Sequence, residues 1–151
     1  MSIGDFKDKC ERMTADFKKH SVRIGIFADN DPFKRANIAA IHSRGAPSRN
    51  LHEREFLKRS VNYSKDKIEA YITNIAQSVA HLASSGKMVY PLLNGLGRYT
   101  VDNVVVDYLE HNGYGELEPL KATTILKKGN NKILQDKLHL IKALTSKVGD
   151  K

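Results

Sequence analysis

Ile68, Ile72, Ile75, Val79 and Leu82 step along the chain by four, three, four and three residues. Only an α-helix brings that spacing onto one line, so the chain must contain a helix of about five turns with a continuous apolar seam. The seam predicts a helix that starts near Ser64 and ends at Gly86, whose missing side chain suits a helix stop. A helix this long needs a layer to bury its seam, and the remaining sequence has to supply it.

A second amphipathic helix is expected at the beginning, where Ile3, Phe6, Cys10, Met13 and Phe17 form one stripe among Lys7, Lys9, Glu11, Arg12 and Lys18. Cys10, the only cysteine, is expected to be a small core residue in a protein that folds under reducing conditions. Val22, Ile24 and Ile26 then alternate with Arg23 and Gly25, the period of a half-buried strand, and Asp29-Asn30-Asp31-Pro32 turns the chain. Residues 36–42 read as a short helix stopped by Gly45 and Pro47, and residues 54–61 as a second strand. Val101, Val104, Val105 and Tyr108 share one helical face after Pro91, although the valine run also suits a strand. Gly95 and Gly97 there are expected to permit close helix packing.

Residues 112–132, with Gly113, Gly115, Pro119, Gly129 and Asn130, read as a long exposed loop of the kind that makes contacts. Leu138, Ile141 and Leu144 predict a short helix and residues 145–148 a last strand. These elements make one domain over residues 1–151, of α+β class, with a small mixed or antiparallel sheet packed by the long helix and further helices. Loops 44–52 and 112–132 project from it for subunit contacts.

The N-terminus lacks a continuous apolar stretch, and no window approaches a membrane span, so a soluble, unprocessed protein with no membrane partner is expected. His42, His52, Glu53 and Glu55 match no short metal or acid–base motif, and Gly95-Leu96-Gly97 lacks the setting of a nucleotide loop. The pattern therefore points to a protein that is no enzyme, with no cofactor, no catalytic residue and no metal. His42 is read as holding the Gly45 turn through a hydrogen bond, and the other histidines, His111 among them, as ordinary surface residues.

Charge is the other constraint. The 25 Lys and Arg exceed the 17 Asp and Glu, giving a net charge of +8, a field that attracts polyanions. From Leu120 onward eight lysines stand against two aspartates. Lys121, Lys127, Lys128 and Lys132 either face solvent or line a lumen that meets a phosphate backbone without reading bases. Arg35, Arg44, Arg49, Arg54 and Arg59 form a second positive group suited to carboxylates across an interface.

Within this frame the string IAAIHSRGAPSRNLHEREFL, from Ile38 to Leu57, resembles a pattern of small neck and tail proteins of tailed bacteriophages: apolar-Ala-x-Ile-His-x-x-Gly-Ala-Pro, then Arg-x-Phe-Leu, after a strand. The stretch from Pro119 to Val148 is similar to the family's C-terminal block. The chain carries His52, Glu53 and Glu55 where relatives tend to have prolines, and Asp136 and Lys137 in place of a Thr-Gly pair.

The resemblance implies a tail-completion or head-tail joining protein, a structural subunit of the virion neck or tail assembled in the host bacterial cytoplasm. It also implies a homo-hexameric ring that joins neighbouring connector and tail proteins and lets genomic DNA pass through. A tail terminator ring and a small non-specific nucleic-acid-binding module stand as alternatives, the latter opposed by the placement of most Tyr and Phe on stripes expected to be buried, with no stacking platform. In the joining reading Arg44, Gly45, Ala46, Pro47, Ser48, Arg49 and Asn50 form a rigid contact loop, with Gly45 free to take a positive φ. Ile38, Ile41, His42, Phe56 and Leu57 anchor it.

Overall fold

Ser2 opens the first helix with a reciprocal cap: its hydroxyl accepts from the Asp5 amide at 3.1 Å, and the Asp5 carboxylate accepts from the Ser2 amide at 2.9 Å. The computed structural model, which describes residues 2–30, 34–49, 51, 53–82, 89–134 and 139–151, is an α+β fold dominated by helices. Helix α1 (Ile3–Lys19) leads into β1 (His20–Gly25), followed by α2 (Arg35–Arg44), α3 (Phe56–Tyr63) and α4 (Lys65–Leu82). Next come α5 (Val89–Thr100), a π-helical turn (Val101–Val106) and α6 (Asp107–Glu110), then α7 (Ala122–Lys128), α8 (His139–Ala143) and β2 (Thr145–Asp150).

The two strands pair antiparallel, from His20 opposite Asp150 to Gly25 opposite Thr145, so the second and the last elements of the chain close the fold. Helix α5 covers this ribbon, and Gly97 allows the approach: a Cβ there would stand 2.6 Å from Ser146 Oγ and 3.0 Å from Val22 Cγ1. The long helix α4 lies instead against α5 and α3, so the layer that the sequence assigned to it belongs to its successor. Its predicted end at Gly86 lies outside the described residues.

The core forms around the continuous helix of α5, the π turn and α6. Thr100 and Asp107 on either side of the turn keep right-handed helical backbone, so the helix runs through it. The turn's wider winding puts Val101, Val104, Val105, Tyr108 and Leu109 all on the buried side. Phe56, Leu117, Ile133, Leu140 and Leu144 complete the core, with Ile24, Leu57 and Ile141 packed against it. The valine run is thus helical, and the face predicted for it is the one buried.

Several expectations are corrected. Residues 54–61 form no strand: Phe56, Ser60 and Ser64 are buried at a spacing of four, which is a helical face, and α3 occupies it. The stretch 112–132 is no continuous loop, since Leu117 is buried and α7 lies within it. Cys10 is half-buried and not a core residue, because α1 has no buried residue at all. Leu138 and Asp31-Pro32 lie outside the described residues.

Candidate functional site: a cationic cleft

The resemblance segment folds into a closed turn. Gly45 ends α2 at φ 72° and ψ 174°, a region open essentially to glycine, and a Cβ there would meet the Glu53 amide nitrogen at 2.9 Å. Ala46 and Leu51 exchange amide–carbonyl hydrogen bonds of 2.9 and 3.1 Å around a short 3-10 turn (Pro47–Arg49). Arg44, Pro47, Ser48 and Arg49 are exposed, while Gly45 and Ala46 are half-buried. Asn50 and His52 lie outside the described residues.

The anchors divide differently from expectation. Phe56 is fully buried and Leu57 packs on the core, but Ile38 and Ile41 are 47% and 43% exposed, and Ala39 is the buried residue of α2. The turn is held by the main-chain carbonyl of His42, which accepts from the Arg54 amide at 2.8 Å. The His42 imidazole takes no part: Nδ1 is buried with no hydrogen-bond partner.

His42 lines a cleft of about 780 Å3 between the turn and the C-terminal region. Arg35, Arg54, Lys121, Lys127 and Lys128 line it, with Glu118 as the one acid among the described residues, beside Leu51, Leu120, Leu134 and Leu140. The fold therefore brings together two positive groups that lie some seventy residues apart in the chain, part of the arginine set and three of the four lysines assigned to a lumen. The fourth, Lys132, turns away and donates from Nζ to the Glu110 carbonyl at 2.8 Å, at the C-terminal end of α6, where a cation suits the exposed carbonyls. Lys128 donates to the Lys132 carbonyl.

Arg54 is the unusual member. Its side chain is nearly enclosed, at 6% exposure, and its hydrogen bonds are two long ones of 3.4 Å from Nε and Nη2 to the Glu118 carbonyl. Burial pulls the guanidinium below its ordinary pKa and the Glu118 charge pushes it back up. His42 is held below its ordinary value by burial first and then by the Arg54 and Lys128 charges, so the ring is neutral at pH 7. The remaining arginines are dispersed, with Arg44 and Arg49 facing outward and Arg59 donating to the Glu116 carbonyl at 2.5 Å.

The His42 shift has a stability consequence. The unfolded chain takes up this proton near pH 6.5 and the folded chain only below that, so stability falls as the pH drops through 6.5. Equilibrium urea denaturation of the parent and of His42→Asn, followed from neutral to mildly acidic pH, is expected to give a shallower decline for the variant. Equal slopes would show that His42 titrates freely in the folded protein.

A second cluster was not legible in the sequence. The Tyr63 and Tyr114 rings stack at 4.8 Å, His111 stacks on Tyr114 at 4.7 Å, and Tyr71 stacks on Tyr99 at 4.1 Å. Tyr114 Oη donates to Asp107 Oδ2 at 3.1 Å, and Lys67 Nζ reaches the same oxygen at 3.2 Å. His111 is thus a member of a stacked group, and the tyrosines are not confined to buried stripes. These groups satisfy one another and tie α4 and α3 to α6 and the turn after it. Tyr114 stands there at φ 49°, a conformation with no pattern of its own in a sequence.

Among the described residues no group of three or more His, Cys, Asp or Glu side chains is placed to hold a metal ion, and no helix is long and apolar enough to cross a membrane. Comparison with protein-family models, with curated proteins and with solved structures finds no match.

Proposed function

We propose that this protein is a structural subunit of a tailed-phage neck or tail, built to assemble with copies of itself and with adjacent connector and tail proteins into a ring through which DNA passes. The observation that carries the reading is apolar surface left without a partner. On α1, Ile3 is 91% and Phe6 is 40% exposed, and on α4, Ile72 is 45% exposed in the middle of the seam. Amphipathic helices with open seams mark surfaces that another chain covers. The glycine-locked turn at residues 44–49 supports the same reading, because a rigid projection loses little entropy on docking. The order of the sequence blocks around Ile38–Leu57 and Pro119–Val148 supplies the phage neck or tail as the setting.

Electron microscopy and mass spectrometry of purified particles test this, with the protein expected in the neck or tail at ring stoichiometry. Particles that contain no copies would remove the reading. Ile72→Glu is the sharper probe: it removes a half-exposed side chain and should change monomer stability by only about 0.5 kcal/mol or less. The variant is expected to keep its helicity and to be missing from particles. Normal incorporation would show that the seam is not a contact.

A further inference from the structure

Arg54 presents a chemical problem that the fold itself does not solve. Arg54 as a residue is nine-tenths removed from water, so its guanidinium forfeits part of its hydration, and buried cations ordinarily recover that loss from a carboxylate. No carboxylate lies within ion-pair distance of Arg54 among the described residues, and its two contacts with the Glu118 carbonyl are at the outer limit of hydrogen bonding. His42 lines the same cleft, and its Nδ1 is likewise buried and without a partner.

Two unmet polar groups of this kind, walled by further cations, specify an anion. We propose that the cleft is the docking site for an acidic, aliphatic peptide segment of a partner protein, with a carboxylate on Arg54 and His42 and aliphatic side chains on Leu51, Leu120, Leu134 and Leu140. This rests on the assembly reading and names the kind of segment the subunit takes from its neighbour.

Charge and shape decide for a peptide carboxylate over nucleic acid. The guanidinium fork matches a carboxylate through two parallel hydrogen bonds, and Lys121, Lys127 and Lys128 add a field that draws acidic residues to the rim. A cleft of about 780 Å3 has the size of a small-ligand or short-peptide site and cannot admit a duplex. Its apolar wall is aliphatic and offers aliphatic side chains a surface, and the described residues that line it include no Phe, Tyr or Trp ring, only the imidazoles of His42 and His139, so it lacks the broad stacking platform that unpaired bases use.

The test is an NMR titration of the full chain with an acetylated, amidated leucine–glutamate–leucine–glutamate–leucine peptide, following the Arg54 Nε–H and His42 ring signals. A saturable shift of both is expected, with the glutamine version of the peptide at least about tenfold weaker. Arg54→Lys keeps the charge and loses the fork, and should weaken binding by a similar factor. Lys127→Gln combined with Lys128→Gln should weaken it severalfold, more so at low salt. Arg54→Met should abolish binding while leaving the melting temperature equal to or above the parent's, because it removes a buried cation that has no carboxylate.

No saturable shift, or equal binding of the glutamine peptide, would overturn the proposal. A single-stranded oligonucleotide that shifts the same signals more strongly than the peptide would assign the cleft to nucleic acid instead. Failure of the titration with copies present in particles would sink the cleft and leave the ring, whereas binding with no copies in particles would do the reverse.

Discussion

Truncating Phe56 to alanine is expected to cost about 3–5 kcal/mol, the range for a large aromatic removed from a rigid core. The side chain is fully buried, at the point where the chain returns from the Ala46–Leu51 turn into α3. A domain with a total stability of about 5–15 kcal/mol then loses a large part of it, and the unfolding midpoint in guanidinium chloride should fall accordingly. Ile38→Ala and Ile41→Ala are the controls. Both side chains are nearly half exposed and each should cost under about 1 kcal/mol, so the contrast assigns the anchoring of the turn to Phe56. Similar costs for all three would mean that α2 holds the turn and that α3 is fastened elsewhere.

That contrast shows where sequence reading succeeds. Ile38 and Ile41 were expected to anchor because they sit three apart in a helix, and the helix exists, but spacing does not say which side of a short helix meets the core. Ala39 does, and an alanine carries no signal of its own. Periodicity worked where it was sustained: the face of Val101, Val104, Val105 and Tyr108 is the core face, and the alternation of Val22 and Ile24 is a strand. Residues 54–61 read as a strand for want of room before the helix start expected at Asn62 to Ser64, yet α3 fits there, and its inward face carries Phe56, Ser60 and Ser64. Two serines on an inward face hide a helix from any reading that counts apolar residues. Ser60 satisfies its hydroxyl by donating to the Leu57 carbonyl at 2.9 Å, which is what allows a polar side chain there.

The cleft was half legible. Each of its positive groups stood out in the chain, and the arginines were read as suited to carboxylates, whereas within the fold Arg54 and Arg59 donate to the main-chain carbonyls of Glu118 and Glu116. Their meeting across some seventy residues was hidden, because it depends on β1 pairing with β2 and on α8 docking beside α2. Nor does a sequence distinguish a buried arginine from an exposed one: Arg49 and Arg54 lie five apart in one segment, one on the outside of the turn and the other sealed beneath it. Solvent access, which separates a surface charge from a binding group, is a property of packing.

The same dependence on packing governs Gly97, where alanine is expected to act against its usual sign. In an open helix the exchange of glycine for alanine stabilises by about 1 kcal/mol. Here the added Cβ would meet Ser146 Oγ at 2.6 Å and Ser146 Cβ at 2.7 Å, closer than packed atoms approach, so α5 has to move away from the strand ribbon. Gly97→Ala is therefore expected to destabilise by about 1–3 kcal/mol in equilibrium denaturation. Gly95→Ala, two residues earlier, meets only Tyr71 Oη at 3.4 Å and should be neutral or stabilising. Ser146→Gly removes both close atoms, so the double variant should recover much of the loss, with a coupling between the sites of about 0.5–3 kcal/mol. Opposite signs at Gly95 and Gly97, together with that coupling, would locate the closest contact between helix and ribbon. A stabilising Gly97→Ala would instead mean that the second and last elements of the chain do not meet under α5.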